Sequence, residues 1–359
     1  MPYRGRPAVA GSSLTARRGR PIAQCLSPSI AAALFLLCVQ FTQAQGQGAV
    51  QPPAPIEQPT PEAPTTDLDT PLEGWVKVRY SVLADGTTAD VRAIDKMPPG
   101  LSERALVSAI SRWRFSPATQ GGDAIEWHNN EAVITFVAEE VPSEVSARFA
   151  RAYDEVGQSI AEQDYERAAR QSARLLDTAT RLRELALAQA QAAVMQLAAS
   201  DIHSAYAALV RATDPRIPGL TPEELGVALQ YRFVAETQLG RIVEALGTFA
   251  RLDQLGTVAD GDPIAQQASA IEQALAGDGA IAVEARVDDA PWMHVVSRRT
   301  FAITVADGQV SGIQVECDRR KTELEFQPDV EWSLPESWGS CTLFVDGRRG
   351  TTFSLYEFK

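Results

Sequence analysis

Apolar residues occupy every second position from Val76 to Val82, and mostly polar residues stand between them. This period of two predicts a β-strand with one face buried and one face in solvent. Asp85-Gly86 follows, and the alternation resumes through Val91. Asp-Gly between two alternating runs is a strong signal for a hairpin turn. The sequence therefore predicts two antiparallel strands joined by a tight turn.

A helix and further strand sequence come next. Met97-Pro98-Pro99-Gly100 ends the second strand, because proline cannot donate to a β-ladder. Ser102 is a candidate helix N-cap. Apolar residues then recur with helical spacing and form one face that can lie on the sheet, namely Leu101, Ala105, Leu106, Ala109 and Ile110. Trp113 and Phe115 are expected to pack in the core from the following strand, and residues 131–138 form a last strand.

The composition changes to alanine, leucine, arginine and glutamate over residues 142–276, without strand alternation. Three segments align there, starting at Ala161, Ala198 and Gln238, and each places an alanine one turn into the next helix (Ala168, Ala205 and Ala245). The alanines are spaced by about 37 and 40 residues, against 34 for tetratricopeptide repeats. The region resembles a degenerate array of three such repeats, and a plain helical bundle is the alternative.

Short alternating runs return over residues 280–359, with Asp307-Gly308 and Asp346-Gly347 as turn signals between them. They predict an antiparallel β-domain, most simply a small sandwich. Cys317 and Cys341 lie in two of its strands and are the two cysteines outside the leader described below, which contains Cys25 and Cys38. Two cysteines in an exported protein most simply form a disulfide.

Residues 72–140 resemble the C-terminal domain of the TonB family of periplasmic energy transducers. The resemblance rests on spaced elements in order: Gly74/Val76/Val78, Asp85/Gly86, Pro98/Gly100 and Trp113/Arg114/Phe115/Pro117. It covers about a fifth of the chain. It implies an α+β domain of two strands, a helix and a third strand that acts as a binding module. The predicted fold class is thus α+β multidomain, with this domain followed by the helical region and the β-domain.

The resemblance also implies a binding site. In the family, the last strand is an edge that pairs with the TonB-box peptide of outer-membrane transporters by β-augmentation. The corresponding residues of this chain are Ala132, Val133, Ile134, Thr135 and Phe136. The alternative is that this strand only completes the sheet or is covered by the helices that follow.

Residues 1–44 are predicted to be a signal peptide. They contain five arginines and no acid, followed by an apolar run from Ile30 to Phe41 and by Thr42-Gln43-Ala44. The apolar run is shorter than the roughly 20 residues of a spanning helix. We expect the mature protein to begin at Gln45 in the periplasm. An uncleaved inner-membrane anchor through residues 29–44 is the alternative, and only then would the protein contact a membrane. Residues 45–71 are rich in proline and are expected to be an extended linker.

Charge and residue chemistry narrow the function. Removal of the five leader arginines moves the net charge from −13 to −18, which argues against nucleic acid as a partner. The three histidines (His128, His203 and His294) fall one in each predicted domain, and Asp260-Gly261-Asp262 is expected to be an ordinary loop. No nucleophile, metal-ligand or phosphate-binding motif is found. We therefore expect no catalytic residue, no metal and no cofactor, and no enzyme activity.

The leading hypothesis is an exported periplasmic protein that acts as a protein-binding adaptor in cell-envelope transport. Its partners would be proteins or peptides of the envelope, and outer-membrane TonB-dependent transporters are candidates. Energy transduction is disfavoured, because the apolar segment lacks the histidine that transducers use, the linker is short, and about 220 residues follow a domain that is normally C-terminal. The alternative is a scaffold in which the helical repeats gather envelope partners.

Overall fold

A computed structural model describes residues 49–61, 73–99, 101, 104–137, 145–259, 261–328 and 330–359. The predicted leader, the N-cap Ser102, Ala138 and Asp260 lie outside these residues. All described residues belong to one compact unit, Gly46–Lys359. Of the helices in the described ranges, none is long and apolar enough to cross a bilayer.

The predicted hairpin is present. Strand β3 (Gly74–Val82) pairs antiparallel with β4 (Thr88–Met97), and β8 (Trp127–Phe136) pairs with the other side of β3. The turn requires glycine at position 86, because Gly86 has φ of +81° and a Cβ there would lie 2.0 Å from the carbonyl oxygen of Phe115. The resulting three-stranded sheet has the order β4-β3-β8.

Helix α1 (Arg104–Ile110) covers one face of the three-stranded sheet. The core beneath it contains the residues that the alternation placed there, and Trp113 and Phe115 pack into it as predicted. The buried set is Val76, Val78, Tyr80, Val82, Leu101, Leu106, Ile110, Trp113, Phe115 and Phe136. The side of β3 that the sequence placed in the core is therefore buried as predicted.

The described part of the predicted linker forms strands that pair with the rest of the domain. Three short strands lie between α1 and β8: β5 (Arg114–Ser116), β6 (Ala118–Gln120) and β7 (Asp123–Ile125). From the linker, β1 (Val50–Gln51) pairs with β6 and β2 (Ala54–Glu57) pairs with β5. All four residues of β2 are exposed, so this strand is held by backbone pairing and not by side-chain burial. A linker that buries none of these side chains can still pair its backbone in this way.

The described part of the helical region contains seven helices, each packed against the next along the chain. They are α2 (Ala147–Ala161), α3 (Tyr165–Thr178), α4 (Leu182–Ala198), α5 (Ile202–Ala212), α6 (Pro222–Gln238), α7 (Ile242–Gln254) and α8 (Pro263–Ala276).

The three segments that the sequence aligned adopt one turn geometry. Gln163, Ser200 and Gly240 occupy equivalent positions between helices and have φ of 61°, 61° and 70°. The aligned alanines Ala168, Ala205 and Ala245 are all fully buried. The helical prediction is confirmed, while a tetratricopeptide-type role for these pairs stays a prediction.

The C-terminal region is a β-sandwich. Its strands are β9 (Ile281–Arg286), β10 (Trp292–Val295), β11 (Thr300–Asp307), β12 (Val310–Cys317), β13 (Lys321–Leu324), β14 (Glu331–Ser333), β15 (Cys341–Gly347) and β16 (Thr352–Phe358). Two four-stranded antiparallel sheets, β10-β15-β12-β13 and β14-β11-β16-β9, share one apolar core. Cys317 and Cys341 are paired directly across β12 and β15 and form a disulfide with both residues buried.

Candidate peptide-binding strand and its surroundings

Strand β8 carries all five residues that the sequence nominated for peptide pairing. Its backbone pairs with β3 from Gly74↔Phe136 to Tyr80↔Asn130. Among the residues that the structure describes, no other backbone hydrogen bond involves residues 132–136. Strand β8 lies at one end of this sheet, and a strand in that position leaves one row of backbone donors and acceptors outside the ladder.

The side chains of this strand are already engaged. Ala132, Ile134 and Phe136 pack into the core under α1, and Val133 packs on the opposite face against the helical region. Thr135 lies opposite Trp75 and is half-buried. The side chains of this strand are therefore mostly used in packing within the protein.

The beginning of β8 is covered by the β-sandwich. The His128 amide donates to the carbonyl oxygen of Asp318 at 2.7 Å. The neighbouring Asn129 has φ of 59°, and its side chain accepts hydrogen bonds from Thr342 and Arg79. The open part of the edge is consequently confined to the second half of the strand.

The outer face of β3 is not exposed to solvent, so the prediction of a half-buried strand was wrong. Lys77 and Arg79 lie on this face, and the Lys77 ammonium is 3.2 Å from the Asp214 carboxylate after α5. Arg79 is 4% exposed and its guanidinium lies 3.8 Å from Glu316 of β12. Strand periodicity identifies polar positions, but it does not reveal that distant carboxylates will cover them.

Charge pairs connect the three-stranded sheet to both other regions. Glu131 of β8 pairs with Arg216 at 2.8 Å, and Asp95 of β4 pairs with Arg211 of α5 at 2.9 Å. On the sandwich side, Arg92 of β4 lies 2.7 Å from Glu316. These pairs were missed at the sequence level, where acids are too abundant for any one pair to stand out.

Burial and pairing shift the ionisation of this network. Burial alone would raise the pKa of Glu316, but the hydrogen bond and charge of Arg92 and the nearby Lys321 hold it below its usual value. Burial lowers the pKa of Arg79, and Glu131 and Glu316 oppose that shift. Burial alone would raise the pKa of Asp214, but Arg216 and Lys77 outweigh burial and hold this pKa well below its usual value. The carboxylates of Glu316 and Asp214 therefore remain ionised at neutral pH and hold the sheet to its neighbours.

The three histidines occupy separate places. His128 lies on β8 with Nδ1 3.0 Å from Ser81 Oγ, and His203 lies on α5. His294 on β10 is buried between Glu244 of α7 and Glu357 of β16, with nitrogen–oxygen distances of 3.5 and 3.4 Å. In the described ranges, no group of three or more histidine, cysteine or acidic side chains is arranged to hold a metal ion.

A three-stranded antiparallel sheet with one helix on its core face and strand β8 at one edge is a small α+β domain. Residues 64–137 match the family described as Gram-negative bacterial TonB protein C-terminal. The resemblance predicted from the sequence motifs is thus confirmed for this segment.

The curated relatives described here match this part of the chain. Protein TonB of Pseudomonas aeruginosa is 28% identical over 71 residues, which cover 20% of this chain and 21% of that protein. Protein TonB of Escherichia coli is 29% identical over 73 residues, covering 20% and 30% of the two chains. The chain therefore spans less than a third of either curated relative. A solution NMR structure of the P. aeruginosa TonB C-terminal domain is 24% identical, with a TM-score of 0.22, and the match covers 25% of this chain and 90% of that one.

Proposed function

We propose that this protein is an adaptor that binds a short, extended peptide segment of a cell-envelope protein along the outer edge of β8. The observation that carries the proposal is the backbone of residues 132–136, which pairs with β3 on one side and forms no backbone hydrogen bond with another described residue on the other. Peptide addition to such an edge gains affinity from main-chain hydrogen bonds.

The surroundings of the strand limit the length of the peptide. The β-sandwich covers the strand at His128 and Asn129, so an added strand meets the sandwich at that end. The edge of residues 132–136 matches a peptide of about five residues, since a strand advances about 3.3 Å per residue on both sides of a ladder. TonB-box peptides of outer-membrane transporters are the first candidates.

Location in the periplasm belongs to the same proposal. A buried disulfide such as Cys317–Cys341 persists in oxidising compartments, which supports export of the chain. The predicted leader of residues 1–44 gives the route.

Calorimetric titration with TonB-box peptides tests the proposal, using Val133→Pro and Ile134→Pro. Amides of neighbouring strand residues point to opposite sides, so one of these two donors faces β3 and the other faces the open edge. The substitution that removes the open-edge donor should abolish binding while circular dichroism shows a folded protein. Ile134→Val keeps both the donor and the shape of the side chain, and it should bind like the unchanged protein. No heat of binding at about 1 mM peptide would rule out any affinity useful for recognition.

A scaffold role for the helical region is the second candidate. Helix α6 presents Val227, Tyr231 and Val234 on one face, and these side chains are 54%, 41% and 37% exposed. A helical apolar stripe of this kind suits a partner helix or peptide. Tyr231→Ser would weaken partner capture in this case, whereas Ile134→Pro and Val133→Pro would leave it unchanged, which separates the two roles.

A further inference from the structure

A cavity of about 410 Å³ lies where the three-stranded sheet, helix α5 and the β-sandwich meet. Its apolar wall comes from all three regions: Ile94 of β4, Tyr206 and Ala207 of α5, and Pro291, Met293 and Phe344 of the sandwich. Ligand sites in proteins are typically 300–1,000 Å³ and often lie between domains. The size and place of this cavity therefore suit a small molecule.

The charged residues at the cavity are mostly cationic. Lys77, Arg92 and Arg211 line it, against one carboxylate, that of Asp95. Arg211 holds Asp95 through its Nε at 2.9 Å and its Nη2 at 3.0 Å, so this carboxylate is neutralised. The cavity wall thus combines apolar surface with an excess of positive charge.

The excess persists when the surrounding ion pairs are included. Six cations take part in the described ion pairs of this junction, Lys77, Arg79, Arg92, Arg211, Arg216 and Lys321. They face five carboxylates, those of Asp90, Asp95, Glu131, Asp214 and Glu316. One positive charge remains in a chain whose net charge is −13. A junction in which cations outnumber carboxylates favours an anion over a cation.

The cationic and apolar parts of the wall are in contact. The guanidinium carbons of Arg79 and Arg92 lie 4.9 and 5.3 Å from the centre of the Phe344 ring. A cation–π contact of this kind keeps the guanidinium group of Arg92, which lines the cavity, at the edge of the apolar wall. A ligand that enters the cavity meets apolar side chains and a cationic rim together.

We propose that this cavity binds a small amphipathic monocarboxylate, with its apolar tail against Tyr206, Pro291 and Met293 and its carboxylate at Arg211 and Arg92. Such a ligand would bridge the sheet, the helices and the sandwich. This site is separate from the β8 edge, and the proposal does not depend on peptide binding there.

Decanoate, used well below micelle-forming concentration, is the probe, and decyltrimethylammonium is its cationic counterpart with the same chain length. Isothermal titration should give saturable one-site binding of decanoate and at least about tenfold weaker binding of the cation, because the cations that line the cavity outnumber its carboxylates.

Two substitutions of one ion pair should act in opposite directions. Arg211→Gln removes a cation and leaves Asp95 unneutralised, so decanoate affinity should fall by at least about tenfold. Asp95→Asn frees Arg211 and should raise the affinity for decanoate. The matched exposed pair Arg170 and Glu166 on α3 supplies controls, Arg170→Gln and Glu166→Gln, which should not change binding.

Several outcomes would overturn the proposal. The first is the absence of saturable decanoate binding to the unchanged protein, and the second is equal binding of decanoate and decyltrimethylammonium. The third is a change of decanoate affinity in the same direction for Arg211→Gln and Asp95→Asn, in protein that thermal melting shows to be folded. If one of these variants unfolds, the other decides, because each has its own expected direction.

Discussion

Arg79 of β3 and Glu316 of β12 lie 3.8 Å apart, and their side chains are only 5% and 4% exposed. The residues are far apart in sequence and belong to the three-stranded sheet and the β-sandwich. Their contact, together with Arg92–Glu316 at 2.7 Å, closes the outer face of the sheet. These contacts place side chains of the sandwich over that face, so strand β8 contacts other parts of the protein through its side chains while its outer backbone edge is the site that we propose for a peptide.

Glu316→Gln should strongly destabilise the protein. It leaves Arg79 buried without its carboxylate partner on β12, and breaking one side of a buried ion pair typically costs about 3–5 kcal/mol. Urea unfolding measures the change. Glu323→Gln on the exposed side of β13 is the matched control and should change stability by less than about 0.5 kcal/mol. Equal small effects of the two substitutions would mean that the pair contributes little.

The disulfide should support the sandwich. Cys317→Ser removes it and should lower the free energy of unfolding by about 2–5 kcal/mol. Reductant should destabilise the unchanged protein by a similar amount and should leave Cys317→Ser unaffected. Thiol titration of the denatured, unreduced protein without its leader checks the pairing directly, and two free thiols there would contradict it.

His294 should make stability depend on pH. Burial lowers its pKa, but the neighbouring carboxylates of Glu244 and Glu357 outweigh burial and raise the pKa above its usual value. The nearby Arg241 opposes the protonated form. The folded state therefore binds the proton more tightly than the unfolded state does. The stabilisation is fully present below the unfolded pKa of about 6.5 and is lost as pH rises through the folded pKa.

The test is urea unfolding of the unchanged protein and of His294→Gln from about pH 5 to about pH 9, a range that includes the reference histidine pKa of about 6.5. The difference between the two free energies of unfolding isolates the contribution of His294. The difference should shrink as pH rises above the unfolded pKa. His203 is the internal control, because burial lowers its pKa and Arg286 adds to the shift. Its contribution has the opposite sign, so His203→Gln should relieve a loss of stability at low pH. A stability difference for His294→Gln that grows with pH would contradict the assignment.

Gly86→Ala should destabilise the hairpin more than Gly122→Ala does. Both glycines have positive φ, +81° and +97°, so both substitutions carry the backbone strain of about 1 kcal/mol expected there. Only at Gly86 would the new Cβ meet a backbone oxygen, at 2.0 Å, whereas nothing lies within 4 Å at Gly122. Thermal unfolding compares the two variants, and equal losses would show that the turn can move away from Phe115.

Local patterns predicted much of this architecture. The alternation of β3, the Asp85-Gly86 turn and the apolar face of α1 each depend on residues close together in sequence. The pairing of Cys317 with Cys341 followed from their number and their β-patterned surroundings. The aligned segments around Gln163 and Ser200 also gave turns of one geometry, because the same short spacing recurs.

Other features depend on parts of the chain that no local pattern connects. The strand β2 pairs through its backbone while its side chains stay exposed, so hydrophobic periodicity carries no signal for it. The local sequence pattern predicts that the polar face of β3 is in solvent, because its partners, Asp214 and Glu316, come from sequence far downstream. The cover over the start of β8 likewise comes from the sandwich, through the carbonyl oxygen of Asp318.

Backbone hydrogen exchange of the ¹⁵N-labelled protein, with and without a TonB-box peptide at about 1 mM, tests the central claim most directly. Alternate amides in residues 132–136 face the open edge, and these should exchange faster than those that face β3. The peptide should slow the open-edge amides by at least about tenfold, since each gains a hydrogen-bond partner. Protection that appears elsewhere, for example along α6, while the amides of residues 132–136 are unchanged, would contradict the account.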